Sequence, residues 1–260
     1  MKNRFAVLLI AAVLALNGVA LAAVPDAKKR KSIQKTIPSP EPETSQPVPD
    51  TPPPPVPKFS TVNAVVNYYG KSVREKLKPI FKANNVEYPP KEMTWICLKQ
   101  EKMFYVFGKD RQGKMKQLLK YQIIGASGGA GPKLKEGDKQ VPEGFYSIDG
   151  FRPNLVAHIG MSVNYPNAED RQHAIEEKRS NLGCDILIHG SRWSTGCLAM
   201  GNEPIEELFV LAHDTGKSNI KLIFAPCNLL VQNPDIDLKK QPKWLPPLYE
   251  NIRQSLKMYF

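Results

Sequence analysis

The chain is organised around the stretch Ile188-His189-Gly190-Ser191-Arg192-Trp193-Ser194-Thr195-Gly196-Cys197. It places a histidine eight positions before a cysteine, with a glycine beside each. Cysteine is a strong nucleophile only as the thiolate, and a nearby imidazole is the usual group that generates one. Glycine lets the backbone turn sharply and come close to a substrate. The stretch therefore predicts Cys197 as a nucleophile and His189 as its general base and acid, with a core cysteine and an incidental histidine as the alternative.

The residues around this pair supply candidate partners. Backbone N–H groups at the turn that ends in Gly196 and Cys197 can converge on an oxyanion. A third group has to orient the imidazole, and a backbone carbonyl or hydroxyl of a neighbour such as Ser191 would serve, a choice that the sequence leaves open. The loop itself contributes the candidate substrate-binding residues Arg192, Trp193, Ser194 and Thr195.

The N-terminal residues predict export. A charged start at residues 1–4 precedes an apolar run over 5–16 and the small-x-small site Ala20-Leu21-Ala22. This pattern is typical of a secretory signal peptide over residues 1–22. The alternative is an uncleaved anchor that extends the apolar run to Ala23. We expect a periplasmic protein, either free or retained at the inner membrane by the uncleaved segment.

Charge indicates the class of partner. The chain carries 36 Lys and Arg against 25 Asp and Glu, a formal net charge of +11. Basic exported proteins commonly meet anionic polymers or membrane surfaces, although solubility alone also explains such a charge. The sequence contains no nucleic-acid motif, so nucleic acid is not an expected partner.

The other cysteines leave the redox state open. Cys97, Cys184 and Cys227 accompany Cys197 in the chain. No C-x-x-C pair is present, so no metal site is expected. Cys184 with Cys227 is the disulfide to test first in an exported protein, and three buried thiols are the alternative.

The composition divides the chain into segments. Residues 23–58 form a basic and then proline-rich linker that cannot bury a core. Residues 59–92 are helical, with apolar residues at three- and four-residue steps over 60–85 and a kink or end at Pro79. A catalytic domain spans 93–228, and a C-terminal extension with a helix spans 229–260.

The domain itself is predicted to be α+β and mostly β. Short strands rich in aromatic and branched residues begin near residue 94 and form an antiparallel meander. Cys184–His189 is interpreted as a buried strand that ends on the histidine. Asn202 resembles the N-cap of a helix that Gly216 follows. A phosphate loop at the glycine-rich residues 125–133 is the alternative that we discount, because no Gly-Lys-Ser/Thr follows.

The sequence resembles the L,D-transpeptidase catalytic-domain (YkuD-type) family. An apolar strand ends in His-Gly, and Ser-x-Gly-Cys follows it. The YafK-like branch is closer still. The stretches that match this branch are Gly131-Pro132-Lys133, Gly137-Asp138, Pro142-Glu143-Gly144-Phe145-Tyr146, Asn164-Tyr165-Pro166-Asn167-Ala168, Ile188-His189-Gly190 and Gly196-Cys197-Leu198-Ala199-Met200.

The resemblance implies a cysteine enzyme of peptidoglycan stem peptides that needs no cofactor. Cys197 would attack the carbonyl at the L-centre of diaminopimelate and expel D-alanine, with Gly196 in the oxyanion hole. The acyl group would pass to an amine or to water. Some members of the branch instead hydrolyse the bond between diaminopimelate and an outer-membrane lipoprotein. His158 matches a family histidine position, and both a substrate-site role and a core role are open for it and for Tyr146.

Two departures from the family pattern concern the acceptor. The family usually carries a histidine just before the Gly-Cys and an arginine two residues after the cysteine, whereas this chain has Thr195 and Ala199. The absent arginine removes a planar partner for a substrate carboxylate. Candidates to replace it are Arg192, Arg152, Lys133 and Arg171.

The predicted function is therefore an L,D-transpeptidase. The first alternative is an L,D-carboxypeptidase or an amidase that acts on the diaminopimelate–lipoprotein bond. The second is a non-catalytic cell-wall-binding protein, and a cysteine peptidase is a third. The expected partners are peptidoglycan stem peptides, together with an outer-membrane protein or lipoprotein linked to diaminopimelate.

Overall fold

The computed structural model describes residues 57–260, and these fall within one compact unit. The predicted signal peptide and nearly all of the predicted linker lie outside the described residues. Within residues 57–260, no helix has the length and apolar character needed to cross a membrane.

Eight strands form one mixed sheet in the order β3-β2-β1-β8-β4-β5-β6-β7. The strands are β1 Met93–Leu98, β2 Met103–Lys109, β3 Met115–Gln122, β4 Gly144–Leu155, β5 His158–Val163, β6 Leu187–His189, β7 Leu198–Ala199 and β8 Ile220–Ala225. The helices are α1 Val62–Ala83, α2 Ala168–Glu176, α3 Asn202–Thr215 and α4 Leu245–Leu256. The architecture is α+β, and the predicted meander of β1, β2 and β3 is confirmed by their antiparallel pairing.

Both faces of the sheet are covered, as the burial of strand β1 shows. All six residues of β1 are buried. Trp95 joins the core that contains the buried faces of α1 and α3. Ile96 points the other way, into a second core that contains α4. Alternate residues of a strand point to opposite faces, so a strand buried between two helical layers reads as a continuous apolar run.

The two flanking segments are parts of this layered unit. Helix α1 begins after Thr61, whose hydroxyl accepts a hydrogen bond from Ala64 N at 3.1 Å. It continues through Pro79 to Ala83, so the helix does not end at the proline, and the alternative of a kink there stays a prediction. Leu77 and Phe81 are fully buried on either side of the proline, and this packing outweighs the hydrogen bond that proline cannot make.

A buried polar cluster connects α4 to the sheet. Lys99 Nζ lies 2.9 Å from Glu143 Oε1, and both side chains are almost completely buried. Tyr249 of α4 donates its hydroxyl proton to Glu143 Oε2 at 2.6 Å, and Gly131 N donates to Oε1 at 2.9 Å. The C-terminal segment is thereby held to the glycine-rich loop that approaches the site.

Two predicted elements near the site are corrected. The strand expected over Cys184–His189 is restricted to Leu187–His189, because Gly183 and Asp185 take positive φ angles of 78° and 55° that interrupt an extended backbone. The N-cap of α3 is Gly201 and not Asn202, which is the first residue of the helix. The side chain of Asn202 is engaged elsewhere.

Candidate active site

The cysteine and the histidine lie on neighbouring strands at one edge of the sheet. Strands β6 and β7 are parallel, with Ile188 opposite Leu198 and His189 opposite Ala199. Cys197 directly precedes β7, and Leu187 N lies 3.3 Å from its Sγ. Since side chains alternate along a strand, Cys197 and His189 project from the same face. The structure thus places the two predicted catalytic residues on one face of neighbouring strands, and the thiol itself donates to Asp185 O at 3.4 Å.

The imidazole of His189 is oriented by the next residue in the chain. The ring is buried, and Nδ1 lies 2.6 Å from the carbonyl oxygen of Gly190. A carbonyl can only accept, so Nδ1 carries the proton and Nε2 of the neutral ring is an acceptor. The orienting group is therefore Gly190 and not Ser191, which corrects the sequence expectation.

Burial favours the neutral form of both groups. Burial raises the pKa of the Cys197 thiol, against the opposing effects of the Leu187 N–H and the charge of Lys133. Burial lowers the pKa of His189, and the hydrogen bond to Gly190 offsets part of this shift. A neutral imidazole beside a neutral thiol is the state in which the ring can accept the thiol proton.

Two serine hydroxyls are hydrogen-bonded to the N–H groups predicted to form the oxyanion hole. Gly196 N donates to Ser127 Oγ at 2.7 Å, and Cys197 N donates to Ser194 Oγ at 3.1 Å. Ser194 also donates to the Cys197 carbonyl at 2.6 Å. Ser194 is therefore part of the turn itself, and its contact with substrate stays a prediction. An oxyanion would have to replace both hydroxyls, so the role of Gly196 stays a prediction.

The sequence did not indicate Ser127 as a site residue. It belongs to the glycine-rich loop and donates its own proton to Lys139 O at 2.6 Å. A Cβ atom on Gly125 would lie 2.2 Å from Arg192 O. The glycine at that position is thus explained by close approach to the catalytic loop. Only the folded chain shows this contact, because the two loops are far apart in sequence.

Three loop residues remain free to meet a ligand. Arg192, Trp193 and Thr195 are exposed, and Trp193 is 87% exposed. Trp193 lies on the loop that ends at Cys197, and an exposed indole ring offers a large contact area with one polar N–H group. The substrate role of these three residues stays a prediction.

His158 and Tyr146 both have polar partners within the scaffold, and their predicted substrate role stays a prediction. His158 Nε2 lies 2.8 Å from Glu206 Oε1, and its ring meets Tyr69 of α1 edge-on. Tyr146 is buried and donates to Asp170 Oδ1 at 3.1 Å. Both side chains connect elements of the scaffold.

The candidates for binding a substrate carboxylate differ in availability. Lys133 is buried and paired with Asp138 at 2.7 Å, so its ammonium group already has a carboxylate partner. Arg152 is exposed. Arg171 lines a groove of about 530 Å³ together with Cys184. With the exposed Arg192, this leaves three of the four candidates accessible to a ligand.

Ala199 explains the absence of the family arginine in steric terms. It is fully buried, and a Cβ on Gly125 would lie 3.2 Å from the Ala199 side chain. Ala199 N also donates to Gly125 O at 2.8 Å. A long side chain at this position would have to displace the glycine-rich loop from the end of the sheet.

All four cysteines are free thiols. Cys97 and Cys227 are buried, whereas Cys184 is exposed, so the Cys184–Cys227 disulfide proposed for testing is not formed. Burial raises the pKa of Cys97 and of Cys227 to about 12. Across residues 57–260, no cluster of His, Cys, Asp and Glu is arranged to hold a metal ion.

The fold and this site define an α+β domain in which a cysteine and a histidine lie on one face of neighbouring strands. The family model of the L,D-transpeptidase catalytic domain (YkuD) matches residues 91–220. The chain belongs to this family, whose domains act on peptidoglycan peptides and are associated with the cell wall.

The chain spans about two fifths of the length of the curated relatives that it matches. The chain is 40% identical over 102 residues to the Escherichia coli K12 protein named "Putative L,D-transpeptidase YafK", which is 38% of this chain and 39% of that protein. The same values hold for the protein of that name from Escherichia coli O157:H7.

Two solved structures are also similar. The helical cell shape determining protein Pgp2 from Campylobacter jejuni has a TM-score of 0.43 at 23% identity, covering 52% of this chain and 47% of that chain. Bd1075 from Bdellovibrio bacteriovorus has a TM-score of 0.39 at 16% identity, covering 66% of this chain and 57% of that chain.

Proposed function

We propose that this protein is an exported cysteine enzyme that modifies peptidoglycan as an L,D-transpeptidase, acting at the L-centre of diaminopimelate in stem peptides. The observation that carries the proposal is the placement of Cys197 and His189 on one face of two parallel strands, with Nδ1 of the imidazole bound to Gly190. The family supplies the substrate class.

The first half-reaction forms a thioester. Nε2 of His189 takes the proton from Cys197 Sγ, and Sγ attacks the carbonyl carbon of the diaminopimelate L-centre. The oxyanion accepts hydrogen bonds from the N–H groups of Gly196 and Cys197, and it takes the place of the serine hydroxyls there. The imidazolium then gives its proton to the leaving amine of D-alanine, so that the ring returns to its neutral form.

The second half-reaction depends on the acceptor. An incoming amine gives a proton to Nε2 and attacks the thioester, which forms an amide and releases the Cys197 thiol. The product is a crosslink or an attached protein. Water in the same position gives a free carboxylate and L,D-carboxypeptidase activity.

Hydrolysis is the second candidate, and Ala199 favours it. Because Ala199 is buried against Gly125, the site lacks the arginine that would pair with a carboxylate. In this version the enzyme is an amidase that attacks the bond between diaminopimelate and a linked outer-membrane protein or lipoprotein. The leaving group is then the amine of that protein.

We also propose that the reaction takes place in the periplasm. The charged and apolar residues at the start of the chain support export. Either cleavage near residue 22 or retention at the inner membrane places the domain on the side of the membrane where peptidoglycan lies.

Mass spectrometry of muropeptides tests the proposal. Purified protein is incubated with tetrapeptide muropeptides with and without an amine acceptor, and separately with muropeptides that carry a lipoprotein peptide. Loss of D-alanine with a new amide indicates transfer, loss of D-alanine without one indicates carboxypeptidase action, and release of the lipoprotein peptide indicates the amidase.

Cys197→Ala and Cys197→Ser are the matched controls. Both are expected to abolish turnover while the circular dichroism spectrum and melting temperature stay those of the parent. Full turnover by Cys197→Ala, or muropeptide binding by the parent without any turnover or thioester, would overturn the proposal. The second result would instead support a non-catalytic cell-wall-binding protein.

A further inference from the structure

The side chain of Asn202 reaches back to the loop that orients the catalytic imidazole. Its Oδ1 atom accepts a hydrogen bond from Ser191 N at 2.9 Å. Ser191 O in turn accepts from Gly201 N at 3.2 Å. The start of α3 is therefore joined by two hydrogen bonds to the residue that lies two positions after His189.

One peptide unit connects Asn202 to His189. The Gly190 carbonyl and the Ser191 N–H belong to the same planar group and, in a trans peptide, point in opposite directions. Nδ1 of His189 binds the carbonyl end at 2.6 Å, and Asn202 holds the N–H end at 2.9 Å. Because the peptide group is rigid, a rotation that moves the Ser191 N–H also moves the Gly190 carbonyl. Hydrogen bonds arranged in such a chain also polarise one another.

The backbone here needs support from its surroundings. Ser191 has a φ angle of 63°, in the left-handed region that is unfavourable for a residue with a side chain. Gly190 is closely surrounded, since a Cβ on it would lie 2.9 Å from Asn202 Oδ1 and 3.0 Å from Ala157 O. A strained residue persists where its surroundings determine it, and such residues are concentrated at functional sites.

We propose that Asn202 is a positioning residue for the reaction, one that fixes the Gly190–Ser191 peptide so that the Gly190 carbonyl selects the orientation and tautomer of His189. Asn202 does not touch substrate in this role. The inference deepens the proposed function, because it assigns a structural cause to the state in which Nε2 accepts the thiol proton.

The test measures the Cys197–His189 pair without a peptidoglycan substrate. The rate of Cys197 alkylation by iodoacetamide is followed at pH 7 in a Cys184→Ser background, in which the other two spectator thiols are buried. Asn202→Ala removes the acceptor, whereas Asn202→Asp keeps an oxygen there. Asn219→Ala is the control, since Asn219 Nδ2 binds Thr215 O at the other end of α3.

Asn202→Ala is expected to slow alkylation by about 10- to 100-fold, the usual effect of a small misplacement of a reacting group. Asn202→Asp is expected to stay within about threefold of the parent, and Asn219→Ala to match it. Nitrogen NMR should show the His189 Nδ1–H in the parent and in Asn202→Asp, but not in Asn202→Ala. A purely structural role would lower the melting temperature without changing this tautomer.

Two failures are distinguishable. If His189→Ala does not slow alkylation of the parent, the cysteine–histidine pair is not coupled and the proposed function fails. If His189→Ala slows alkylation but Asn202→Ala keeps the parental rate and the Nδ1–H signal, only the role of Asn202 is overturned. An equal slowing of Cys197 alkylation in Asn202→Ala and Asn202→Asp would also overturn the role of Asn202.

Discussion

Gly196 donates its backbone N–H to the hydroxyl of Ser127, 2.7 Å away. This bond connects the catalytic turn to the glycine-rich loop and places an oxygen atom at a donor that an oxyanion would use. The N–H groups of Gly196 and Cys197 thus both have hydroxyl partners before a substrate arrives. When a tetrahedral intermediate forms, its oxyanion has to replace the Ser127 hydroxyl as the acceptor of the Gly196 N–H.

We expect Ser127→Ala to speed up acylation. Without the hydroxyl, the Gly196 N–H is free for the oxyanion, and removal of one net hydrogen bond corresponds to about 2- to 10-fold in rate. The melting temperature should fall slightly, because the two loops lose a contact. The measurement is the single-turnover rate of D-alanine release, with Ser127→Thr as the control that keeps the hydroxyl. A slower rate in Ser127→Ala would show that the contact supports catalysis instead.

The pH dependence of kcat/KM should reflect His189. Burial lowers its pKa, and only the neutral ring accepts the thiol proton. The rate should therefore fall as the pH drops through the lowered pKa, with a midpoint below the usual value of about 6.5 for histidine. His189→Gln should abolish this limb and reduce kcat by about 10²- to 10⁴-fold. A midpoint above 6.5 would contradict the burial effect.

Trp193 should affect substrate binding and not stability. The side chain is 87% exposed, so Trp193→Ala removes almost no core packing. Loss of one aromatic contact corresponds to about 0.5–1.5 kcal/mol, and we expect KM for a muropeptide to rise by about 2- to 10-fold at unchanged kcat. Met258→Ala, a change at an exposed residue near the C-terminus, is the control. An unchanged KM in Trp193→Ala would remove the residue from the binding site.

The buried pair of Lys99 and Glu143 should be important for folding. Lys99→Met leaves the Glu143 carboxylate buried without its cation, and breaking such a pair costs about 3–5 kcal/mol. Urea unfolding at pH 7 measures this loss in the free energy of unfolding. Tyr249→Phe removes one hydrogen bond to the same carboxylate and should cost less, about 1–3 kcal/mol. Equal stability of Lys99→Met and the parent would contradict the assigned role of the pair.

Sequence patterns predicted the scaffold where residue type alone decides burial. The apolar run of β1 and the spacing along α1 follow directly from which residues avoid water. The limits of β6 were harder to predict, because the positive φ angles of Gly183 and Asp185 depend on contacts with distant residues. The helix at Pro79 continued for a similar reason, since tertiary packing outweighed a local penalty.

The sequence by itself determined the family and the candidate nucleophile and base: a cysteine and a histidine with glycines beside them, in the order that the L,D-transpeptidase family uses. Only the tertiary structure decided which groups serve that pair. Gly190 orients the imidazole, Ser127 meets the catalytic turn, and Asn202 holds the peptide between its helix and the histidine. A hydrogen bond depends on distance and direction, and folding sets both by bringing together residues that are far apart in the chain.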